Sequence, residues 1–523
     1  MKYLFPLTLT FFLFALTVTG QSQNPKREFR AVWIASVANI DWPSQKGLSP
    51  VVQQAEYRFI LDEQQKNGMN AVIVQVRPTA DALYRSALEP WSEWLTGKQG
   101  REPNPPYDPL TFLLEESHQR GMEFHAWFNP YRATFDSLAV IDPRHITKTK
   151  PEWFLKYEGK LLFNPGLPEV RRYITRVVMD VVKRYDIDGV HFDDYFYPYP
   201  VANKPFPDDS TFIQFADGYT SKDDWRRHNI DLLIKTISDS IQATKPYVKF
   251  GISPFGVWKN QSDDPLGSAT RAGAPSYHTL YADTRKWLQE GWIDYVVPQV
   301  YWHIGHPAAD YKTIVEWWTR NHFTRHLYIV QGAYKINRDI NPAWNTTTEI
   351  PRQLKLNRML PSVKGSVFFS SKSLMSNPNS VQDSLRQHYY QYPALVPVMA
   401  WKDNIAPMAP HHLLVKDTYH GNYLSWQLAP DAPDLEQARY YLIYRFRQGE
   451  TLVTDNPQKL IGKVFGSQTT FLDTTVEPGK RYVYVVTALD RMQNESKPSE
   501  AVNIKFKKPL LKKLSNIFSG INA

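Results

Sequence analysis

Eight short runs rich in β-branched and aromatic residues recur along the first three quarters of the chain: FRAVWIA (29–35), NAVIVQV (70–76), EFHAWFN (123–129), GVHFDDY (189–195), KFGISPF (249–255), YVVPQVYW (295–302), HLYIVQGAY (326–334) and GSVFFSSKS (365–373). Amphipathic segments of helical period separate them, among them Tyr57 to Asn67, Pro109 to Arg120, Glu169 to Arg184, Asp224 to Thr244 and Ala282 to Glu290. Strand alternating with helix makes a parallel sheet, and eight such units predict a closed (β/α)8 TIM barrel, an α/β fold spanning residues 27–392. An open doubly wound sheet is the alternative. It normally stops at fewer strands and opens on a glycine-rich first turn, which this chain lacks.

At 523 residues the chain is too long for one core, and its pattern changes after Tyr392. A proline-containing linker (393–409) leads into short alternating strands with an early Trp and the run PGKRYVYVVTALD, which together resemble an all-β fibronectin type III sandwich over residues 410–506. The last segment, 507–523, is a basic amphipathic tail. Lys507, Lys508, Lys512 and Lys513 flank Leu510, Leu511, Leu514, Ile517 and Phe518 at helical spacing, which suits weak contact with an anionic membrane surface or packing on the chain's own domain. Much of the net charge of +9 is explained by this tail, and no phosphate-cradling loop or basic-aromatic module supports a nucleic-acid partner. At the other end a positive residue, an apolar stretch from Leu4 to Val18 and small residues before Gly20 read as a secretory signal over residues 1–20, so export to the periplasm or cell envelope is expected. Cysteine is absent, which excludes disulfides, thiolate chemistry and a lipid-modified N-terminal cysteine.

In such a barrel the chemistry sits at the C-terminal mouth of the strands. Asp193 and Asp194 fall there, after the fourth strand, and the alternation of a strand turns Asp193, His191 and Tyr195 to one side and Asp194 to the other. Other strand ends bring Asn39, Asp41, Gln75, Arg77, Asp81, Trp127, Asn129, Arg132, Gln299, Tyr301 and Trp302 toward the same face, with Trp258 close behind the fifth strand. Polar groups among flat aromatic rings suit the two faces of a sugar, although each ring taken singly fits a core position as well.

The segments REFRAVWIASVANIDWPS, QVRPTADALYRSALEPWSEWLTGKQG, FHAWFNPYRAT, DGVHFDDYFYPYP, GISPFGVW, GWIDYVVPQVYW and GSVFFSSKSL, in this order, resemble the bacterial glycosyl-hydrolase-like family ten over the whole barrel. That family includes an envelope enzyme cleaving peptidoglycan glycan strands already stripped of their stem peptides. The resemblance therefore implies a glycan substrate and glycoside hydrolysis, with no cofactor and no metal. Many relatives are lipoproteins, and this chain, without cysteine, departs from them.

Glycoside hydrolysis normally needs two carboxyl groups. Asp193 is the first candidate, and Asp194, Asp81 and Asp41 are the candidates for the second, the latter two being equally suited to capping or bracing a loop. DGVHFDDY also resembles the fourth-strand signature of chitinase-like barrels, but His191 and Tyr195 stand where that signature has acids, which speaks against a substrate-assisted mechanism. The acids and histidines show no helix-borne ligand spacing of the kind a metal-dependent deacetylase would use. A non-catalytic glycan-binding barrel and a hydrolase of another polysaccharide remain as alternatives. Arg77 and Arg132, after the second and third strands, are placed to read the lactyl carboxylate that stripped peptidoglycan carries on alternate sugars, or else to pair with Asp41 or Asp81.

Overall fold

A computed structural model describes residues 24–136 and 140–507. The expected secretory signal and nearly all of the basic tail lie outside these residues. Eight parallel strands, β1 (Phe29–Ile34), β2 (Ala71–Arg77), β3 (Glu123–Phe128), β4 (Gly189–Phe192), β5 (Lys249–Ile252), β6 (Tyr295–Val296), β7 (His326–Gln331) and β8 (Val363–Phe368), close into a barrel in sequential order, with β8 pairing back onto β1. Helices α1 (Pro50–Lys66), α2 (Pro109–Gln119), α3 (Pro168–Arg184), α4 (Lys222–Thr244), α5 (Thr284–Gln289), α6 (Tyr311–Asn321) and α7 (Glu349–Met359) follow successive strands. The first begins seven residues before its expected start, because Ser49 caps it and Pro50 opens it.

Two strands stop short of the apolar runs that encode them. β6 has only two ladder residues, since Pro298 has no N–H to donate and the chain leaves the ladder as it reaches the mouth. β4 ends at Phe192, one residue before the paired aspartates.

The barrel interior is filled by rings in layers. Phe29 stacks on Tyr328 at 4.1 Å, and the Tyr295 hydroxyl lies 2.7 Å from His125 Nδ1 and 3.1 Å from His191 Nδ1. Gly251 makes room for Tyr295: a Cβ there would lie 2.0 Å from the phenol ring. Below these rings Lys249 and Glu123 form a buried ion pair at 2.5 Å that closes the N-terminal end of the barrel.

The C-terminal region is a sandwich of a three-stranded sheet, β9 (His411–Thr418), β10 (Gly421–Gln427) and β13 (Thr470–Asp473), and a four-stranded sheet in the order β12 (Leu460–Phe465), β11 (Tyr440–Arg447), β14 (Arg481–Leu489), β15 (Val502–Lys505). Trp426, Tyr441, Tyr484 and Val486 are in its core. The sandwich docks on the face of the barrel opposite the mouth. Arg439 and Arg491 pair with Asp186 at 2.8 and 2.7 Å, Lys463 donates to the Gly121 carbonyl, and Gln493 donates to Glu123 of the buried ion pair. From the linker, Trp401 donates to Asp294 at 2.9 Å.

Candidate active site

A cavity of about 510 Å³ opens at the C-terminal ends of the strands. Its walls are largely aromatic. Trp33 (β1) lies 4.8 Å from Trp127 (β3) and 5.3 Å from Phe369, which follows β8. Tyr301 meets Tyr334 at 5.4 Å, and Trp302 meets Phe255 at the same distance. Polar groups are few and fixed. Gln75 Oε1 accepts from the backbone N–H groups of Ser36 and Val37, so its amide orientation is set. Its Nε2 and the Nε1 of Trp33 are buried without an acceptor among the described residues.

Two carboxyl groups line this cavity, Asp193 and Asp194. The expectation that they face opposite ways is corrected: pleating ends with β4 at Phe192, so the two aspartates lie in loop geometry and both reach the cavity. Asp193 is buried, and its Oδ2 accepts from Trp127 Nε1 at 3.1 Å and from Asn129 Nδ2 at 3.2 Å. Burial, reinforced by the neighbouring Asp194 charge, pushes its carboxyl up to about 7, against the smaller opposing pull of Arg132. Asp194 is also raised by burial, but it accepts from the Tyr199 hydroxyl and from the Gln299 side chain. Burial raises both carboxyls and the Asp194 charge adds to the rise of Asp193, so the two titrate as a coupled pair.

Arg132 stands at the rim, its guanidinium 4.5 Å from the centre of the exposed Tyr195 ring, and among the described residues it forms no salt bridge. Asn129 Oδ1 accepts from the Arg132 N–H, so one amide positions both the acid and the arginine loop. Gln299 also donates to the Ser253 carbonyl.

The sequence of the barrel matches the glycosyl hydrolase-like 10 family over residues 28–346, and residues 424–507 match a fibronectin type III domain, the third of SaeA. The chain belongs to the glycosyl hydrolase-like 10 family. It is 49% identical to the Bacillus subtilis glycosyl hydrolase YngK over 507 residues, covering 95% of this chain and 98% of that protein. It is 39% identical to the Escherichia coli K12 glycosyl hydrolase DigH over 389 residues, 70% of this chain and 87% of that one.

Several residues expected at the mouth of this glycosyl hydrolase-like 10 barrel lie elsewhere. Arg77 is buried behind the wall, clamped on both carboxylate oxygens of Glu89 and donating to the Asn129 carbonyl. It does not line the cavity. Asp81 is buried against the Thr79 backbone and Gln99, and Asp41 against Ala35 N, Ser370 Oγ and Lys372 N. Burial raises both to about 6, yet neither lines the cavity, so both brace loops. Asn39 spends its amide on the Pro43 and Trp94 carbonyls. His191 lies one layer down, held by Ser253 and Tyr295, with burial keeping its ring neutral. Trp258 packs outward on Trp317 and donates to Asp283. In exchange, the cavity gains Tyr334, Lys335 and Phe369 from the ends of β7 and β8, and Tyr199 from the loop after β4. The apolar runs of β7 and β8 were legible as strands. Their ends carry rings and amides instead of acids, so a search for acids passes over them.

Proposed function

We propose that the protein is an exported glycoside hydrolase that cleaves glycan strands of the cell envelope, peptidoglycan strands lacking stem peptides in the first place. One observation carries this reading: two buried carboxyls, Asp193 and Asp194, adjoin at the floor of an aromatic-walled cavity, where burial raises the Asp193 carboxyl to about 7. That is the state a general acid needs. In the reaction Asp193 gives its proton to the glycosidic oxygen as the bond from that oxygen to the anomeric carbon breaks. Asp194, in its ionised form, stabilises the positive charge developing at that carbon and takes a proton from the water that adds to it. The aromatic rings of the wall cover the apolar faces of the sugar.

Arg132 supports an anionic substrate. A guanidinium at the rim that forms no salt bridge among the described residues can take the lactyl carboxylate of a stripped strand through two parallel hydrogen bonds. Stem peptides occupy that carboxylate in intact wall, and chitin has none. The test is product analysis on three matched polymers. New reducing ends from stripped glycan in excess of those from intact wall and chitin support the proposal. Equal cleavage of chitin moves the substrate to neutral glycans.

A further inference from the structure

A second cavity, of about 230 Å³, adjoins the first and shares Arg132, Tyr195 and Tyr199 with it. Its far wall comes from an antiparallel hairpin, Phe154–Tyr157 with Lys160–Phe163, inserted between β3 and α3 and tied to the mouth by a bridge from Leu162 to Arg132. Tyr157 sets the wall firmly: its hydroxyl donates to the Lys204 carbonyl and accepts from Val201 N–H. Neither cavity is a sealed interior void, because Tyr195, on the ridge between them, is 41% exposed and Val201 at the far side is 37% exposed.

We infer that the second cavity binds a further sugar unit of the same strand, so that a glycan chain runs from the Asp193 cavity across the Tyr195 and Arg132 ridge to the hairpin. The inference rests on the proposed glycan-binding role of the main cavity. The chemistry of the lining fits. Tyr195, Tyr199 and Tyr157 offer ring faces and edges to a sugar. The charges fit an anionic strand. Glu158 is neutralised by Lys204 at 2.8 Å, whereas Lys160, exposed on the same hairpin, forms no salt bridge among the described residues. With Arg132 on the shared ridge, two cations face the path of the chain. A cavity of this size holds a unit of the strand and cannot hold the whole reacting segment. It therefore adds affinity for longer chains and favours cleavage inside a strand over trimming at its end.

The experiment is calorimetric binding of peptide-stripped glycan oligomers, disaccharide, tetrasaccharide and hexasaccharide, to full-length Asp193→Asn protein, which leaves the oligomers intact. Each is repeated with Val201→Trp added, which fills the second cavity from its exposed side. The readout is the ratio of Kd values for short and long oligomers within each protein. The inference expects the longer oligomers to bind roughly ten-fold more tightly or better, and the added tryptophan to reduce that ratio toward one. A length-independent Kd, or a ratio unchanged by Val201→Trp, overturns it. Absence of binding by every oligomer overturns both this inference and the glycan reading. Length-dependent binding together with no cleavage by the wild-type protein removes the hydrolase proposal alone.

Discussion

Trp127 donates its indole N–H to Asp193 Oδ2 at 3.1 Å, so the ring that walls the cavity also tunes the carboxyl at its floor. This bond favours the ionised form of Asp193, against burial, which disfavours it. Removing the donor with Trp127→Phe raises the carboxyl further. If Asp193 acts as the proton donor, kcat/KM falls as pH rises through about 7 in the wild type. In Trp127→Phe that alkaline limb moves up by about one pH unit. A pH-rate profile of both proteins checks it, and a limb that does not move detaches Trp127 from the titration.

Asp194 acts in the opposite direction. Its charge raises Asp193, so Asp194→Asn lets the Asp193 carboxyl fall and moves the alkaline limb to lower pH. The rate at the optimum also falls, by roughly 10²-fold or more, if Asp194 assists the water. A shifted limb with an undiminished optimum assigns Asp194 to tuning only.

The two arginines separate by their partners. Arg77 and Glu89 form a buried pair, and breaking it with Glu89→Gln destabilises the protein by about 3–5 kcal/mol, read from denaturant unfolding, because the guanidinium loses its counter-charge. Arg132→Lys keeps the charge and loses the planar fork. It raises KM on stripped glycan by roughly one to two decades while leaving unfolding within about 0.5 kcal/mol of wild type. Equal KM effects from Arg132→Lys on stripped glycan and on chitin contradict carboxylate reading.

Asp193 also couples catalysis to stability. The folded protein holds this carboxyl protonated to higher pH than the unfolded chain does, so its contribution is fully present below the ordinary carboxylate range and is lost as pH rises through about 7. Asp193→Asn cannot ionise, and it is therefore expected to be more stable than wild type at pH 8, by an amount of order a few kcal/mol, and similar to it at pH 4. Thermal unfolding at the two pH values measures the difference.

The sandwich braces the barrel from below and stands away from the site. Truncation near Ala400 removes Arg439, Arg491 and Gln493 from Asp186 and Glu123, and it uncovers Leu395, which packs on Tyr440 and Leu442. The shortened barrel is expected to lose several kcal/mol of stability. Its kcat on soluble oligomers at low temperature stays near that of the full chain, because no sandwich residue lines the cavity.

Periodicity made the barrel legible. The eight strands and the helices between them appear in the order the pattern put them, with β4 and β6 shorter and α1 longer than expected, since strands buried on both faces are predominantly apolar. Asp193, Trp127, Arg132 and Tyr301 line the cavity, as their positions at the strand ends led one to expect. Arg77 and Asp81 carry the same signal and lie elsewhere, because which way a residue beyond the strand turns depends on partners such as Glu89 and Gln99, distant in sequence and set by loop packing. The direction of Asp194 was misjudged because the ladder ends one residue before the pair, and pleating says nothing about a loop.

The most direct measurement is mass analysis of products after incubating peptide-stripped glycan strands with the wild-type protein and with Asp193→Asn. The proposed chemistry predicts shortened strands with new reducing ends from wild type, each gaining one water per cleavage, and a rate at least roughly 10²-fold lower from the variant, which folds as well as wild type. Equal product formation by the two proteins, or intact strands from wild type under conditions where it binds them, contradicts it.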